Sequence, residues 1–207
     1  MSTRPGTKKI DHDAPAILAM LSGGGRTLLN LLDRIDDGSL PARIPMAIAS
    51  RDCAGVERAR ARGVETRVIT GEIPADRLAA LCNEAGASWI VLCGYLRRVH
   101  LPAHMRGKCV NIHPALLPAF GGQGMYGDRV HEAVAKTAAD PDPAKRITET
   151  GCTVHLVDDE YDRGPVVLQR RCPVAPGDTP DQISVRVFEL ETEAYPEALR
   201  SLLDNDL

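Results

Sequence analysis

The first hundred residues alternate between short apolar runs and helical patterns, and this alternation restricts the possible folds more than any other feature. Apolar runs occupy residues 16–21, 44–49 and 88–93, and residues 66–69 are predicted to form a short strand. Amphipathic or proline-led segments lie between them and predict helices. Such alternation is typical of α/β proteins, in which right-handed crossovers connect parallel strands. We therefore predict an α/β fold with a doubly wound, mostly parallel sheet.

The last third of the chain has a different pattern. Residues 152–157 alternate as a half-buried strand does, and residues 165–171 follow after an acidic turn, which predicts an antiparallel C-terminal strand pair. His155 in the first of these strands is predicted to be a hydrogen-bonded core residue. A long C-terminal helix is predicted from Thr179, because Thr179 can cap it and Pro180 suits the first helical position.

The chain is predicted to contain one domain. Residues 1–15 are polar, contain two prolines and show no periodicity, so we expect a flexible leader there. Residues 16–207 are then a single domain of ordinary size. Within it, residues 136–150 are charged and rich in proline, which predicts a surface insertion.

Composition excludes some classes of function. The chain has 25 Lys and Arg against 28 Asp and Glu, a net charge of −3, which gives no basic footprint for a nucleic-acid partner. No apolar run is long enough for a membrane span, and the polar start has no signal-peptide core, so a cytoplasmic location is expected. The six cysteines show no pairwise metal spacing, which favours free thiols in a reducing compartment.

A short apolar run brings an amide and an imidazole together at residues 111 and 113. If this run is a strand, Asn111 and His113 point to the same face. Pro114 keeps His113 out of the helical region and so ends the strand there. Ligands bind at the carboxyl ends of strands in open α/β sheets, so the two side chains can share a pocket. The alternative is a turn-forming Asn and a loop His without a function.

Three consecutive glycines follow the first apolar run, at residues 23–25. A glycine turn between a strand and a helix places backbone N–H groups and a helix N-terminus at one point, which favours anion binding. The turn lacks the Gly-Lys-Ser/Thr of a Walker A loop, and Leu28 stands where a dinucleotide fingerprint needs its third glycine. It can bind a phosphate or be only a tight turn.

Two longer motifs are similar to those of a known family. They are Asn-Ile-His-Pro-Ala-Leu-Leu-Pro-Ala-Phe at residues 111–120 and Gly-Cys-Thr-Val-His-Leu-Val-Asp-Asp-Glu-Tyr-Asp-Arg-Gly-Pro at residues 151–165. Together they resemble the folate-dependent formyltransferases, and the resemblance extends from Ala16 to about Leu203.

The resemblance implies a set of catalytic residues. Asn111 would donate a hydrogen bond to the formyl oxygen, and His113 would stabilise the oxyanion or transfer protons. Asp159 would orient the imidazole and hold a water that relays the proton. The register of the second motif selects Asp159 rather than Asp158 or Asp162.

The resemblance also implies two binding sites. The substrate phosphate and ribose are expected at Gly23, Gly24, Gly25, Arg26, Thr27 and Glu191. The folate is expected at Leu96, Arg97, Val99 and Val157. Arg26 and Thr27 depart from the more usual Ser-Asn of the family, and we expect Arg26 to add a charge-assisted bond to the phosphate.

The resemblance implies transfer of the formyl group of 10-formyltetrahydrofolate, a co-substrate, to the amine of glycinamide ribonucleotide in purine biosynthesis. No metal is expected, and the partners are small-molecule substrates, with the chain a monomer or homodimer. Two alternatives within enzymes are hydrolysis of the formyl-folate and transfer to another amine. Hydrolysis is disfavoured because only about 15 residues precede the first strand, too few for the additional domain of hydrolytic relatives. Transfer to another amine is disfavoured because neither a second domain nor a basic surface is expected. A noncatalytic folate- or nucleotide-binding protein is an alternative of another class.

Overall fold

The structure is a computed structural model and describes residues 13–204. The strands are β1 (Ala16–Leu21), β2 (Arg43–Ala49), β3 (Glu65–Val68), β4 (Trp89–Leu92), β5 (Cys109–His113), β6 (Glu149–Leu156) and β7 (Val166–Pro173). The helices are α1 (Arg26–Asp36), α2 (Ala54–Ala61), α3 (Ala75–Ala85), α4 (Asp128–Ala138) and α5 (Pro180–Asp204). Short 3₁₀ turns occupy Ala103–Met105 and Pro143–Lys145.

The strands form one sheet in the order β3-β2-β1-β4-β5-β6-β7. The pairs among β1 to β5 are parallel, whereas β6 pairs antiparallel with β5 and with β7. The prediction of a mostly parallel, doubly wound sheet with an antiparallel C-terminal part is therefore confirmed.

Alternate residues of β1 enter opposite apolar layers. Ile17, Ala19 and Leu21 pack in the layer that contains residues of α1, α2, α4 and α5. Leu18 and Met20 pack in the layer that contains residues of α3. Because both faces of the strand are covered, its sequence is a continuous apolar run rather than an alternating one.

The strand order reverses at β1. The chain moves from β1 to β2 and β3 on one side, and then crosses to β4 and β5 on the other. In an open α/β sheet, a crevice forms at such a point, outside the carboxyl ends of the strands. The glycine turn after β1, the loop after β4 and His113 at the end of β5 therefore lie near this crevice.

Helix α5 is fixed to the middle of the sheet by a buried hydroxyl. The Tyr195 Oη atom lies 2.9 Å from the carbonyl oxygen of Leu92 and 3.0 Å from that of Val110. The start of the helix forms a reciprocal cap, in which Gln182 N–H donates to Thr179 Oγ1 and Thr179 N–H donates to Gln182 Oε1. The predicted capping role of Thr179 is confirmed.

Two predictions about chain organisation concern particular segments. Residues 1–12 of the predicted leader lie outside the described residues. In the predicted insertion, residues 136–138 complete α4 and residues 149 and 150 begin β6, so only the intervening residues form a connection. Within residues 13–204, no helix has the length and apolar composition needed to cross a membrane.

Candidate active site

Two adjoining cavities open at the carboxyl ends of β1, β4 and β5. The first has a volume of about 400 Å³ and is lined by Asn111 and His113. The second has a volume of about 310 Å³ and is lined by the glycine turn after β1. Residues that line both cavities are Gly94, Leu96, Ile112, Pro114, Tyr126 and Gly127. Ligands in the two cavities would therefore meet beside the end of β5.

Strand β5 presents its polar residues to one side. Asn111 and His113 line the first cavity, whereas Val110 belongs to the apolar layer on the opposite face. This arrangement follows from the two-residue period of a strand. It is the arrangement that the sequence pattern predicts for the two side chains.

Asn111 is oriented by a neighbour on β6. His155 is its cross-strand partner, and Asn111 Nδ2 lies 3.1 Å from His155 Nε2. The other ring nitrogen of His155, Nδ1, lies 2.9 Å from the carbonyl oxygen of Leu156, which can only accept. Nδ1–H therefore donates to Leu156, and Nε2 faces both the Asn111 amide and the Asp162 carboxylate.

His113 is held between a carbonyl group and a carboxylate. Its Nε2–H donates to the carbonyl oxygen of Phe120 at 2.8 Å. Its Nδ1 lies 3.6 Å from Asp162 Oδ2, and Asp162 Oδ1 lies 3.5 Å from His155 Nε2. The N–H of Gly122 donates to the same carboxylate at 2.9 Å. Asp162 thus connects the two imidazoles with the loop after β5.

The surroundings shift the pKa values of His113 and Asp162. Burial lowers the pKa of His113, and this outweighs the opposing effects of the Asp162 charge and the Phe120 carbonyl. Burial acts to raise the pKa of Asp162, but the imidazoles of His155 and His113 and the Gly122 N–H outweigh it, so this pKa is lowered. At neutral pH the pair is therefore a carboxylate beside a neutral imidazole, which can accept a proton.

The two residues that contact His113 have unusual backbones. Phe120 and Asp162 both have a φ of 57°, in the left-handed region that non-glycine residues rarely adopt. Such conformations persist only where surrounding contacts enforce them, and they are concentrated at functional sites. Here they direct the Phe120 carbonyl and the Asp162 carboxylate towards one imidazole.

The expectation for Asp159 is not met by the geometry. Its side chain is 73% exposed, and its carboxylate pairs with Arg106 at 3.2 Å rather than with His113. Asp159 lies in the exposed part of the β6–β7 connection, where it lines the first cavity without reaching His113. The connection comes back to β6 at Gly164, whose backbone lies so close to Leu156 that a Cβ at Gly164 would overlap the Leu156 carbonyl oxygen. Asp162 is close to that return point and so lies over the end of β6.

The glycine turn is held by close backbone packing. Gly25, with a φ of 75°, is the residue that precedes α1. A Cβ on Gly25 would lie 2.9 Å from Gly55 Cα, and one on Gly55 would lie 2.5 Å from the carbonyl oxygen of Gly23. Gly55 N–H also donates to Gly23 O at 3.1 Å. This packing exposes the N–H groups of the first turn of α1, which have no intrahelical acceptor.

A cation and a carboxyl group face the glycine turn. The Arg26 guanidinium lies over the Phe188 ring, 4.1 Å from its centroid. Glu191 lines the same cavity, where burial raises its pKa to about 7 against the opposing charge of Arg26. The predicted residues Gly23, Gly24, Gly25, Arg26, Thr27 and Glu191 all line the second cavity.

The family model described as formyl transferase matches residues 16–199. The chain belongs to the formyl transferase family. It is 32% identical over 198 residues to the chloroplastic phosphoribosylglycinamide formyltransferase of Arabidopsis thaliana, which covers 91% of this chain and 65% of that protein. It is also 33% identical over 193 residues to the trifunctional purine biosynthetic protein adenosine-3 of Bos taurus, which covers 89% of this chain and 18% of that protein.

Solved structures have the same fold as this formyl transferase chain. Glycinamide ribonucleotide transformylase 1 from Symbiobacterium toebii is 31% identical with a TM-score of 0.80, over 97% of this chain and 92% of that one. The corresponding protein from Geobacillus kaustophilus is 31% identical with a TM-score of 0.76, over 92% of this chain and 99% of that one. The formyl transferase chain spans less than two thirds of the two curated relatives described above.

The folate-site residues expected for a formyl transferase are brought together. Leu96, Arg97, Val99 and Val157 all line the first cavity. The loop after β4 that carries the first three is fixed to the end of β1, because Leu96 N–H donates to Ser22 Oγ at 2.9 Å. Their role in binding remains a prediction.

Several site residues were missed in the sequence of this formyl transferase. Asp162 could have been found from its position just before Gly164-Pro165, where the chain returns to the sheet. The prediction that His155 is a hydrogen-bonded core residue is confirmed, but its pairing with Asn111 required the register of β5 and β6. No local signal marks Gly55 and Phe188, which reach the site through packing between elements distant in the chain.

Proposed function

We propose that this protein transfers the formyl group of 10-formyltetrahydrofolate to the amine of 5'-phosphoribosylglycinamide. The observation that carries the proposal is the position of Asn111, His113 and Asp162 in the first cavity, next to Ile112 and Pro114, which line both cavities. One cavity has an anion-binding glycine turn, and the other combines aliphatic side chains with charged ones. The names of the Arabidopsis and Symbiobacterium proteins support the same activity.

The second cavity is assigned to the nucleotide. Its phosphate binds to the N–H groups at the start of α1, and the Arg26 guanidinium adds a charge-assisted bond. Phe188 positions that guanidinium, because a ring face attracts a cation. Glu191 forms hydrogen bonds with the ribose hydroxyls. Its carboxyl group can accept such bonds in either protonation state and can also donate one when it is protonated.

The first cavity is assigned to the formyl donor. Leu96, Val99 and Val157 supply an aliphatic surface for the flat ring system of the folate, and Arg97 supplies a cation at its edge. The donor enters as a substrate and leaves as tetrahydrofolate. Its formyl group is thereby directed to the junction at the end of β5, where the amine of the nucleotide arrives from the other side.

The reaction needs a stabilised oxyanion and one proton transfer. The amine nitrogen attacks the formyl carbon, the bond from that carbon to N10 of the folate breaks, and the proton lost by the amine ends on N10. Asn111 stabilises the negative oxygen with its amide, since one N–H is directed to His155 and an amide nitrogen has two. His113, held beside Asp162, accepts and returns the proton.

The direct test uses the purified protein with both substrates. Formylated nucleotide and tetrahydrofolate should appear in equal amounts, as measured by mass spectrometry. Tetrahydrofolate formed without the nucleotide would indicate hydrolysis of the donor. Formylated product formed when another amine replaces the nucleotide would indicate a different acceptor. Tight binding of both substrates without any product would refute the proposal and support a binding protein instead.

Location and assembly stay predictions. The sequence favours a cytoplasmic protein that is a monomer or homodimer, whereas the similar Arabidopsis protein is named as chloroplastic. Gel filtration with light scattering would determine the oligomeric state.

A further inference from the structure

We propose that His131 is a binding residue for the phosphorylated sugar of the nucleotide substrate, an inference that rests on the proposed function. His131 lies on α4 and lines the second cavity together with the glycine turn and Glu191. It has no part in the network around Asn111 described above, and the sequence patterns do not single it out.

His131 lines the second cavity together with the glycine turn and with Ile112 and Pro114, the two residues that flank His113 in the chain. The charged groups that act on its ring are Asp128 on its own helix, His113 on β5 and Arg26 on α1. Glu191 on α5 lines the same cavity. A group close to both the catalytic imidazole and the phosphate-binding cation would face the sugar that connects the amine of the nucleotide with its phosphate.

A ring nitrogen of His131 has no hydrogen-bond partner among residues 13–204. The residue is 6% exposed, and Nδ1 is the buried atom without a partner. An unpaired polar atom in the interior destabilises a folded protein, so it calls for an explanation. Nδ1 is enclosed in this conformation, but the residue lines a cavity that suits a phosphorylated sugar, so a turn of the ring on nucleotide binding would let this nitrogen pair with a ribose or phosphate oxygen.

Burial also favours the uncharged ring. It lowers the pKa of His131, with the charge of Asp128 opposing and the charges of His113 and Arg26 assisting. At neutral pH the ring is therefore neutral and offers one N–H donor and one acceptor. A ribose hydroxyl can use either, and a phosphate oxygen can use the donor. Recognition of this kind orients the nucleotide without adding a permanent charge.

The competing explanation is that His131 only fills the interior. Substitution by leucine distinguishes this packing role from a binding role. His131→Leu keeps an apolar filling and removes both nitrogens. If the role is binding, this variant should be as stable as the wild type or more stable, because the unpaired atom is gone, and yet bind the nucleotide more weakly. His131→Asn retains an N–H near the position of Nδ1 and should recover part of the affinity.

The experiment compares the wild type, His131→Leu, His131→Asn and the exposed control Glu132→Gln. Calorimetry measures the Kd for ribose 5-phosphate, kinetics measure KM for each substrate, and thermal unfolding is measured without ligand. For His131→Leu we expect the ribose 5-phosphate Kd and the nucleotide KM to rise about tenfold or more. The KM of the formyl donor should change by less than roughly twofold, and the melting temperature should not fall. Glu132→Gln should resemble the wild type.

Two results would overturn the inference. In the first, His131→Leu binds ribose 5-phosphate as the wild type does. In the second, stability and affinity for both substrates fall together, as expected for a packing role. If the wild type binds ribose 5-phosphate but forms no formylated product, the proposed function fails while the binding measurement still decides the role of His131. The ring-nitrogen chemical shifts of His131, which should move on addition of ribose 5-phosphate, provide a direct check.

Discussion

Asp162 Oδ2 lies 3.6 Å from Nδ1 of His113, although one residue comes from the β6–β7 connection and the other from the end of β5. The Asp162 side chain is 12% exposed, so the pair is largely screened from water. A carboxylate in this position fixes the ring and stabilises it when it takes up a proton. This contact makes Asp162 the carboxylate that would support the proton transfer proposed for His113.

Substitution of Asp162 should affect turnover much more than substitution of Asp159. Asp162→Asn removes the charge beside His113, so we expect kcat to fall by about a hundredfold to a thousandfold, as is typical when acid–base catalysis is lost. Asp159→Asn removes only an exposed ion pair with Arg106, so kcat should change by less than about threefold. Steady-state kinetics at pH 7.5 test both variants, with thermal unfolding as a check of folding. Equal losses in the two variants would contradict the assignment.

Arg26 and Phe188 should contribute unequally to binding of the nucleotide. Arg26→Ala removes the charge-assisted bond proposed for the phosphate, so the nucleotide KM should rise about tenfold. Phe188→Leu keeps the charge but removes the ring beneath it, so the KM should rise by roughly two- to fivefold. The KM of the formyl donor is the internal control and should stay constant. An unchanged nucleotide KM in Arg26→Ala would mean that the guanidinium points away from the phosphate.

The raised pKa of Glu191 predicts a pH dependence of stability. The value in the folded protein is about 7, compared with an ordinary value of 4.5, so the folded state binds more protons than the unfolded state between these limits. The free energy of unfolding should therefore decrease as pH rises through this window, by up to ~3 kcal/mol from this group. Glu191→Gln should remove this contribution, whereas Glu189→Gln, at an exposed position on the same helix, should retain it. Urea unfolding at several pH values measures the difference, and parallel curves for Glu191→Gln and the wild type would count against it.

Gly55 should tolerate a methyl group poorly. A Cβ at this position overlaps the Leu21 side chain and lies 2.5 Å from the carbonyl oxygen of Gly23. Gly55→Ala should therefore reduce the free energy of unfolding by about 1–3 kcal/mol and disturb the glycine turn. Gly23→Ala is the matched control for stability, because its Cβ would have open space around it, and it should cost less than about 0.5 kcal/mol. Similar unfolding midpoints for the two variants would show that α2 can shift to accommodate the methyl group at little energetic cost.

Much of the fold followed from local patterns. The strands, the helices and the shared direction of Asn111 and His113 depend on periods of two and 3.6 residues, which neighbouring residues alone establish. The apolar run of β1 and the cap at Thr179 are of the same kind, since each depends on residues within one element. Such features can be predicted without knowledge of the rest of the chain.

The choice between Asp159 and Asp162 could not be made in the same way. Both are acidic residues of one turn, and their difference arises from the path by which that turn returns to β6. His155, Phe188 and His131 reach the site from β6, α5 and α4, which are distant from one another in the chain. Contacts of this kind depend on strand register and helix packing, and no local preference encodes them.

The sequence alone determined the α/β architecture, the glycine turn before α1 and the pairing of an amide with an imidazole at the end of β5. Only the tertiary structure decided which carboxylate stands beside His113, and that Arg26 rests on Phe188. The physical reason is that backbone periodicity is a short-range property, whereas the meeting of side chains from separate elements is set by how those elements pack.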